Sequence, residues 1–228
     1  MFKQALKSIS FGAVLLMSVP AAWPAGAGQM STPEIRAPRE QTPADLARSA
    51  YNSGVRAVKK ADKYEAAAEK ASDARKQEKA TKEASEQYAA ARRQFEQAVQ
   101  YSPELYEAWN YLGYTRRKLG DYDAALTAYD RALTLKPAYP EAIEYRGEAY
   151  LRLKRIDDAK QAYLDLFGGN RTLADKLLGS MKTWLDAQRA AGGDPATIEE
   201  LTQWVQERSQ IAGQTAALTR DSAGASWR

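Results

Sequence analysis

Residues 106–139 read YEAWNYLGYTRRKLGDYDAALTAYDRALTLKPAY, a segment of 34 residues that sets the period of the chain. Positions that keep this step hold alanine (Ala91, Ala125, Ala159), an aromatic ring (Phe95, Tyr129, Tyr163) or glycine (Gly113, Gly147). A period of 34 is the length of a helix–turn–helix unit that cannot bury its apolar face alone and stacks on copies of itself. The sequence therefore predicts an all-α chain of stacked helix pairs.

Turn-forming residues divide this segment and its successor into helices. Gly120 suits the left-handed position that ends a helix, and Asp121 can cap the next one. Apolar residues then recur at helical spacing until Pro137, and Pro140 opens a further pair that Gly168 ends. Two complete helix pairs are predicted, over residues 106–139 and 140–171.

The preceding region, residues 55–102, contains neither glycine nor proline and is rich in strong helix formers, so it is one very long helix or a long hairpin. From Gly54 to Ala91 there are 37 residues, where the equivalent distance in the later pairs is 12. Dividing the excess equally lengthens each helix of a first pair, residues 43–102, by about 12 residues. This arithmetic favours the hairpin and places its turn near Ser72 and Asp73.

Beyond residue 171 the 34-residue pattern ends. Residues 172–213 contain two further apolar stripes separated by Gly192 and Gly193, and off-register helices at the end of such an array usually close its last face. The stripes consist of Leu173, Leu177, Leu178, Met181, Trp184 and Leu185, then Ile198, Leu201, Trp204, Val205, Arg208 and Ile211. We expect a capping hairpin here and a flexible tail over residues 214–228.

Residues 1–27 have the three parts of an export signal. Lys3 and Lys7 precede an apolar stretch of 11 residues, and small residues follow at the expected cleavage position. The stretch is shorter than the roughly 20 residues that span a bilayer, so cleavage is favoured over an uncleaved anchor. We expect a bacterial protein that is released to the periplasm or secreted, with a disordered linker over residues 28–42 and no stable membrane span after cleavage. A first helix then begins at the Thr42 cap, with Asp45 completing a capping box.

The absence of histidine and cysteine restricts the chemistry of the chain. It removes imidazole bases, thiol nucleophiles and the common zinc and haem ligand sets, so we expect no catalytic residue, no cofactor and no metal. Carboxylate-only catalysis is the remaining enzymatic hypothesis, but the acids Glu141, Glu144 and Glu148 lie on a face expected to be exposed. The net charge of +4 falls to +2 without Lys3 and Lys7, too little to indicate nucleic-acid binding.

The chain resembles tetratricopeptide repeat proteins over about residues 44–171. In residues 106–139 the resemblance rests on Trp109, Leu112, Gly113, Leu119, Gly120, Asp121, Tyr122, Ala125, Tyr129, Ala132 and Pro137. Departures are Arg116, where the family usually has tyrosine, and Lys154, where a loop glycine is usual. The resemblance implies a right-handed solenoid of about three helix pairs, the first elongated, closed by the C-terminal hairpin. It also implies that Trp109 is a packing residue rather than a binding platform, so Trp109→Ala should cost about 3–5 kcal/mol.

In proteins of this family the first helices of successive repeats line a concave groove. The resemblance maps this face onto Asn110, Tyr114, Arg117, Glu144, Tyr145, Glu148 and Arg152. Phenols and guanidinium groups can hydrogen-bond an extended peptide, although a merely solvated helix face is the alternative. If these positions are exposed, substitutions at Tyr114 and Arg117 should change stability by less than about 0.5 kcal/mol.

The repeat pattern and the composition together favour two functions. The first is an exported, non-enzymatic adaptor that binds a protein or peptide of the cell envelope in the groove. The second is a structural subunit of an envelope or secretion complex that assembles, with itself or with other chains, through the long helical arm. That arm, residues 55–93, has 11 basic and 7 acidic residues and is a solvated hairpin unless a partner docks on it.

Overall fold

The computed structural model describes the backbone of residues 40–224 and the side chains as far as Thr215. Within this range all regular structure is α-helical, and the helices form four consecutive antiparallel pairs. The helices are α1 (Pro43–Lys70), α2 (Ala74–Tyr101), α3 (Tyr106–Lys118), α4 (Tyr122–Leu135), α5 (Pro140–Arg152), α6 (Ile156–Phe167), α7 (Arg171–Ala190) and α8 (Pro195–Gly224). The predicted helical-repeat solenoid is confirmed. The predicted export signal and most of the predicted linker lie outside the described residues.

The first pair is a hairpin rather than a single rod. Thr42 and Asp45 form the predicted capping box, in which the Asp45 amide lies 3.2 Å from the Thr42 hydroxyl. Helix α1 ends at Lys70, and the Asp73 carboxylate accepts hydrogen bonds from the first free amides of α2. Because an N-cap acceptor satisfies amides that have no helical partner, Asp73 fixes the turn where the register arithmetic places it.

The arm is long because each of its helices has 28 residues, against 13 and 14 in the next pair. The surplus of about 14 residues per helix corresponds to roughly 20 Å. Small buried side chains, among them Ala61 and Ala84, allow α1 and α2 to approach closely along this length. The arm is therefore a packed extension of the first pair.

The helices of the first two pairs approach closely at Gly54 and Gly113. A methyl group on Gly113 would lie 2.5 Å from the ring of Tyr129, and one on Gly54 would lie 2.7 Å from the ring of Phe95. Both rings are fully buried, as is Ala125. At Gly54 and Gly113 the glycine leaves the space that an aromatic ring fills, whereas Gly147 leaves space for Leu177 of α7, so the glycines are packing residues.

The two departures from the family pattern have local explanations. Lys154 adopts the left-handed backbone conformation, with φ of 58°, at the turn where the preceding pair has Gly120 with φ of 83°. Arg116 donates to the backbone oxygen of Ala124 at 3.2 Å and pairs with Glu96 at 3.5 Å. It therefore connects helix α3 to the helices on either side of it in sequence.

Helix α7 continues the row of first helices instead of only closing the array. It packs against both α5 and α6, and the predicted stripe along it is buried, with Leu173 partly so. Helix α8 covers α7 through Leu201 and Val205, whereas Ile211 is exposed. The backbone of α8 is helical as far as Gly224, so the boundary predicted at residue 214 ends this helix too early.

Candidate functional site

A groove of about 640 Å³ lies along the first helices of the four pairs. Consecutive first helices are neighbours, because α1 packs on α3, α3 on α5, and α5 on α7. The groove is lined by Glu65 and Glu69 of α1, Tyr114, Arg117 and Lys118 of α3, Tyr145, Glu148, Leu151 and Arg152 of α5, and Lys176, Gly179, Ser180, Thr183, Trp184 and Ala187 of α7.

The unequal lengths of these helices shape the groove. Helices α3 and α5 end at Lys118 and Arg152, both of which line the groove. Helix α1 continues past this level and contributes Glu65 and Glu69, while α7 contributes residues 183–187 from the other side. The short central helices thus form a floor between two longer helices. One wall is the elongated first pair and the other is α7.

Five of the seven residues predicted to line the groove do so: Tyr114, Arg117, Tyr145, Glu148 and Arg152. The other two were expected to face outward, and this expectation was wrong. Asn110 has 3% of its surface exposed and Glu144 has none. Both lie on the groove side of their helices, but neighbouring helices cover them.

Asn110 is an interior residue with an incomplete set of hydrogen bonds. Its Oδ1 atom is buried and accepts no hydrogen bond from the described residues. Burying an amide oxygen without a hydrogen-bond partner is unfavourable by about 1–3 kcal/mol. A ligand in the groove could not relieve this, because neighbouring helices cover the oxygen. Asn110 is therefore removed from the set of residues that can contact a ligand directly.

Glu144 is the centre of a buried polar network. Its Oε2 atom accepts a hydrogen bond from Lys176 Nζ at 3.0 Å, whereas no lysine, arginine or hydroxyl donor among the described residues reaches its Oε1 atom. The neighbouring acid on the same helix, Glu148, interacts electrostatically with Glu144. Glu148 also pairs with Arg117 at 2.7 Å and accepts from the Ser180 hydroxyl at 2.8 Å. Three helices meet in this network.

Below neutral pH the buried pair carries one proton, and the two pKa shifts place it on Glu144. Burial raises the pKa of Glu144 to about 7, and the charge of Glu148 contributes in the same direction against the opposing effect of Lys176. Burial alone would raise the pKa of Glu148 too, but Arg117 and Ser180 outweigh it and hold this pKa below its ordinary value. A protonated Glu144 also resolves the unpartnered oxygen, since its hydroxyl can donate to the carboxylate of Glu148.

Arg117 is a structural member of the groove rather than a freely exposed cation. Only 12% of its side chain is exposed, and its guanidinium lies 5.4 Å and 5.5 Å from the ring centres of Tyr114 and Tyr145. Removing one partner of a buried ion pair costs about 3–5 kcal/mol, because the other charge is left unpaired. The expected exposure of Arg117 was therefore wrong, and a substitution there should be strongly destabilising.

A second polar network joins the arm to the floor of the groove. The Tyr88 hydroxyl lies 2.7 Å from Asp62 and 2.8 Å from Glu65, and the Tyr114 hydroxyl donates to Asp62 at 3.0 Å. Lys118 forms an ion pair with Glu65. Burial raises the pKa of Tyr114, and the charge of Asp62 raises it further, so this hydroxyl keeps its proton and acts as a donor. The network fixes the arm against α3.

The contributions of α1 and α7 to the groove are missing from the set of residues predicted from the sequence. Lys176 and Ser180 are one helical turn apart and lie on the polar side of the predicted apolar stripe of α7. This spacing is a usable signal, but only if α7 is treated as the first helix of a fourth pair. Glu65 and Glu69 have the same spacing on α1, within a stretch so rich in charge that no single pair stands out.

The buried acid pair bears on the hypothesis of carboxylate catalysis. The expectation that these acids are exposed was wrong for Glu144, which is fully buried, and for Glu148, whose side chain is 17% exposed. The pair has the divided protonation that general acid–base catalysis uses. However, Glu144 has no exposed surface, and the charge of Glu148 is engaged by Arg117. A proton donor must come within hydrogen-bonding distance of its substrate, so the pair as placed does not form an accessible acid and base.

Residues 40–224 contain neither a candidate membrane-spanning helix nor a candidate metal site. No helix in that range is both long and apolar enough to cross a membrane. Nor does the described part of the chain contain three metal-binding side chains close enough together to hold an ion.

Comparison with known families agrees with the helix pairing. A family model described as tetratricopeptide repeat matches residues 81–140 and again residues 114–167. The first match runs from within α2 to the start of α5, and the second from within α3 to the end of α6. These matches and the stacked helix pairs support the interpretation of the chain as a tetratricopeptide repeat protein. Repeats of this kind suggest a scaffold for protein–protein interaction. α1, α7 and α8 lie outside the matched residues.

Proposed function

We propose that this protein is an exported, non-enzymatic adaptor that binds a protein or peptide partner in the groove between α1 and α7. The observation that supports this most strongly is the construction of the groove itself. Its walls are formed by α1 and α7, which are longer than the helices α3 and α5 that lie between them. Its floor contains aromatic rings and fixed charges. Such a concave surface suits a segment of polypeptide, because rigid rings and guanidinium groups bind peptides at low entropic cost.

Four tyrosines form a continuous row of ring contacts, and two of them, Tyr114 and Tyr145, line the groove. Tyr51 contacts Tyr111 at 5.8 Å between ring centres, Tyr111 contacts Tyr114 at 6.4 Å, and Tyr114 contacts Tyr145 at 5.1 Å. All four rings are only partly buried. Partly exposed rings that are held by their neighbours can stack on apolar side chains or prolines of a partner with little further loss of freedom.

Three features support a binding role over a catalytic one. The chain lacks histidine and cysteine, Glu144 has no exposed surface while Glu148 is engaged by Arg117, and the polar groups of the groove are largely committed to one another. The proposed export rests on residues 1–27 alone. Cell fractionation with mass determination of the mature N-terminus tests it, and a periplasmic protein that begins near residue 28 is the expected result.

A matched pair of variants on α7 tests the groove. Thr183 and Lys182 are adjacent and both exposed, but only Thr183 lines the groove. Thr183→Trp should obstruct the groove, while Lys182→Trp places the same bulk on the surface beside it. Crosslinking and affinity capture from cell envelopes should lose the partner with Thr183→Trp and retain it with Lys182→Trp. Equal capture by both variants, with unchanged circular dichroism, would contradict groove binding.

The structural-subunit alternative gives the arm a different role, as an assembly surface. Part of the arm already has another role, because Glu65 and Glu69 of α1 form a wall of the groove. Light scattering after size-exclusion chromatography distinguishes the two proposals. An adaptor should remain monomeric over a hundredfold range of concentration, whereas an assembling subunit should increase in mass.

A further inference from the structure

The charges that line the groove are unequally available to a partner. Arg117 is paired with Glu148, and Lys118 is paired with Glu65. Three other charged side chains line the groove. Lys176 and Arg152 lie on the α5–α7 side, and Glu69 lies on the α1 side.

Lys176 has a charge that its partner does not cancel. Its only ion-pair partner among the described residues is the buried Glu144, which is protonated and uncharged below neutral pH. The Lys176 side chain is 50% exposed, and its ammonium group lies 5.0 Å from the ring centre of Tyr145. A half-exposed ammonium group held above a groove-lining ring is positioned to bind a carboxylate from solution.

Arg152 provides a second available cation on the same side. It is the last residue of α5, is exposed, and lines the groove. Among the residues whose side chains are described, no acid forms an ion pair with it. By contrast, Glu69 on the opposite wall would repel an acidic ligand placed against α1. An acidic segment is thus directed to the α5–α7 side.

We propose that the partner presents an acidic, carboxylate-rich segment that binds at Lys176 and Arg152, and that this binding is coupled to protonation of the Glu144–Glu148 pair. The inference rests on the proposed groove function and specifies the chemistry of the partner.

The coupling follows from which groups face the buried pair. Lys176 approaches it from α7 and Arg117 from α3, with the phenol of Tyr129 on α4 close to Arg117. Where α5 packs on α6, the contacting residues are the uncharged Gly147 and Ala162. With one proton on the pair, the two cations exceed the single negative charge. Loss of that proton neutralises the surplus, so an acidic ligand should bind more weakly as the pH rises through neutrality.

A direct test uses two fluorescein-labelled peptides with blocked ends, hexaglutamate and hexaglutamine, titrated against the full chain by anisotropy at low ionic strength. Hexaglutamate should bind more tightly at pH 6 than at pH 8 by about fivefold, the scale of one partly exposed ion pair. Lys176→Gln should weaken binding at pH 6 by a similar factor. Lys182→Gln, which removes the same charge from an exposed position outside the groove, should not.

Glu144→Gln separates the proton from other effects of pH. Glutamine resembles the protonated acid in shape and can accept from Lys176 while donating to Glu148. This variant should bind hexaglutamate at pH 8 as tightly as the wild type does at pH 6. An unchanged pH dependence in Glu144→Gln, or equal binding of hexaglutamate and hexaglutamine, would overturn the inference.

Failure of this inference and failure of the adaptor proposal give different results. If Thr183→Trp abolishes partner capture but hexaglutamate does not bind, the groove is a binding site of other chemistry and the inference is overturned. If hexaglutamate binds as expected but Thr183→Trp leaves capture unchanged, the acidic site is supported and the adaptor proposal is overturned.

Discussion

Replacing Glu144 with glutamine should change how the stability of the repeat array depends on pH. Glu144 is fully buried, and burial together with the neighbouring Glu148 raises its pKa from the ordinary 4.5 to about 7. In the unfolded chain this acid is exposed and titrates near its ordinary value. The folded state therefore holds a proton that the unfolded chain has released over the interval between these two pKa values.

The sign of the effect follows from that difference in bound protons. Between about pH 4.5 and 7 the folded state binds more protons than the unfolded state, so the free energy of unfolding falls as the pH rises. One pKa unit corresponds to about 1.4 kcal/mol, and the difference between pH 5 and pH 8 amounts to about 2–3 kcal/mol from this group. Glutamine does not titrate. Relative to the wild type, Glu144→Gln should gain about this amount of stability as the pH is raised from 5 to 8.

Urea unfolding followed by far-ultraviolet circular dichroism at pH 5, 6.5 and 8 measures this difference. Glu141→Gln is the matched control, because Glu141 is an exposed acid on the same helix and its replacement makes the same change in charge. The control should follow the pH dependence of the wild type. If Glu144→Gln also follows it, so that the three curves remain parallel, then burial does not hold Glu144 neutral and the assigned protonation is wrong.

Four further substitutions test the packing by the same unfolding assay. Gly147→Ala should destabilise the protein by about 1–2 kcal/mol even after the gain in helix propensity, because the added methyl would lie 2.7 Å from Leu177; an unchanged urea midpoint would contradict this. Lys154→Gly should stabilise by up to about 1 kcal/mol by relieving a left-handed residue, whereas Gly120→Ala should cost about 1 kcal/mol at the equivalent turn; effects of the same sign would contradict the shared geometry. Trp109→Ala should cost about 3 kcal/mol, the low end of the range for large core side chains, because Trp109 keeps part of its surface in solvent; a cost under 1 kcal/mol would assign it to the surface.

The fold could be predicted because its decisive contacts lie within a single repeat. Gly113 and Tyr129 are in contact and are 16 positions apart, so the periodic spacing records which side chains meet. The arm could be predicted for a similar reason. An excess of residues without glycine or proline has to be accommodated by longer helices, and Asp73 is a strong cap at the midpoint of that excess.

The burial of the groove residues could not be predicted in the same way. A helical period shows which side of α5 Glu144 occupies, and this was correct, but it does not show what lies against that side. Helix α7 departs from the 34-residue pattern, so nothing in the spacing indicates that Lys176 reaches Glu144 at 3.0 Å. The predicted exposure of Glu144 failed because burial depends on the next pair, and the sequence pattern identifies that pair only as a cap.

The same departure explains why this groove combines a buried acid with available cations. Helix α7 brings Leu177 against Gly147 and Lys176 against Glu144. An ammonium group beside a buried carboxyl would ordinarily favour its ionised form. Here Glu148 is paired directly with Arg117 and takes the ionised state, so below neutral pH Glu144 is neutral and does not cancel the charge of Lys176. The helix that ends the repeat pattern is thus the one that gives the groove its distinct electrostatic character.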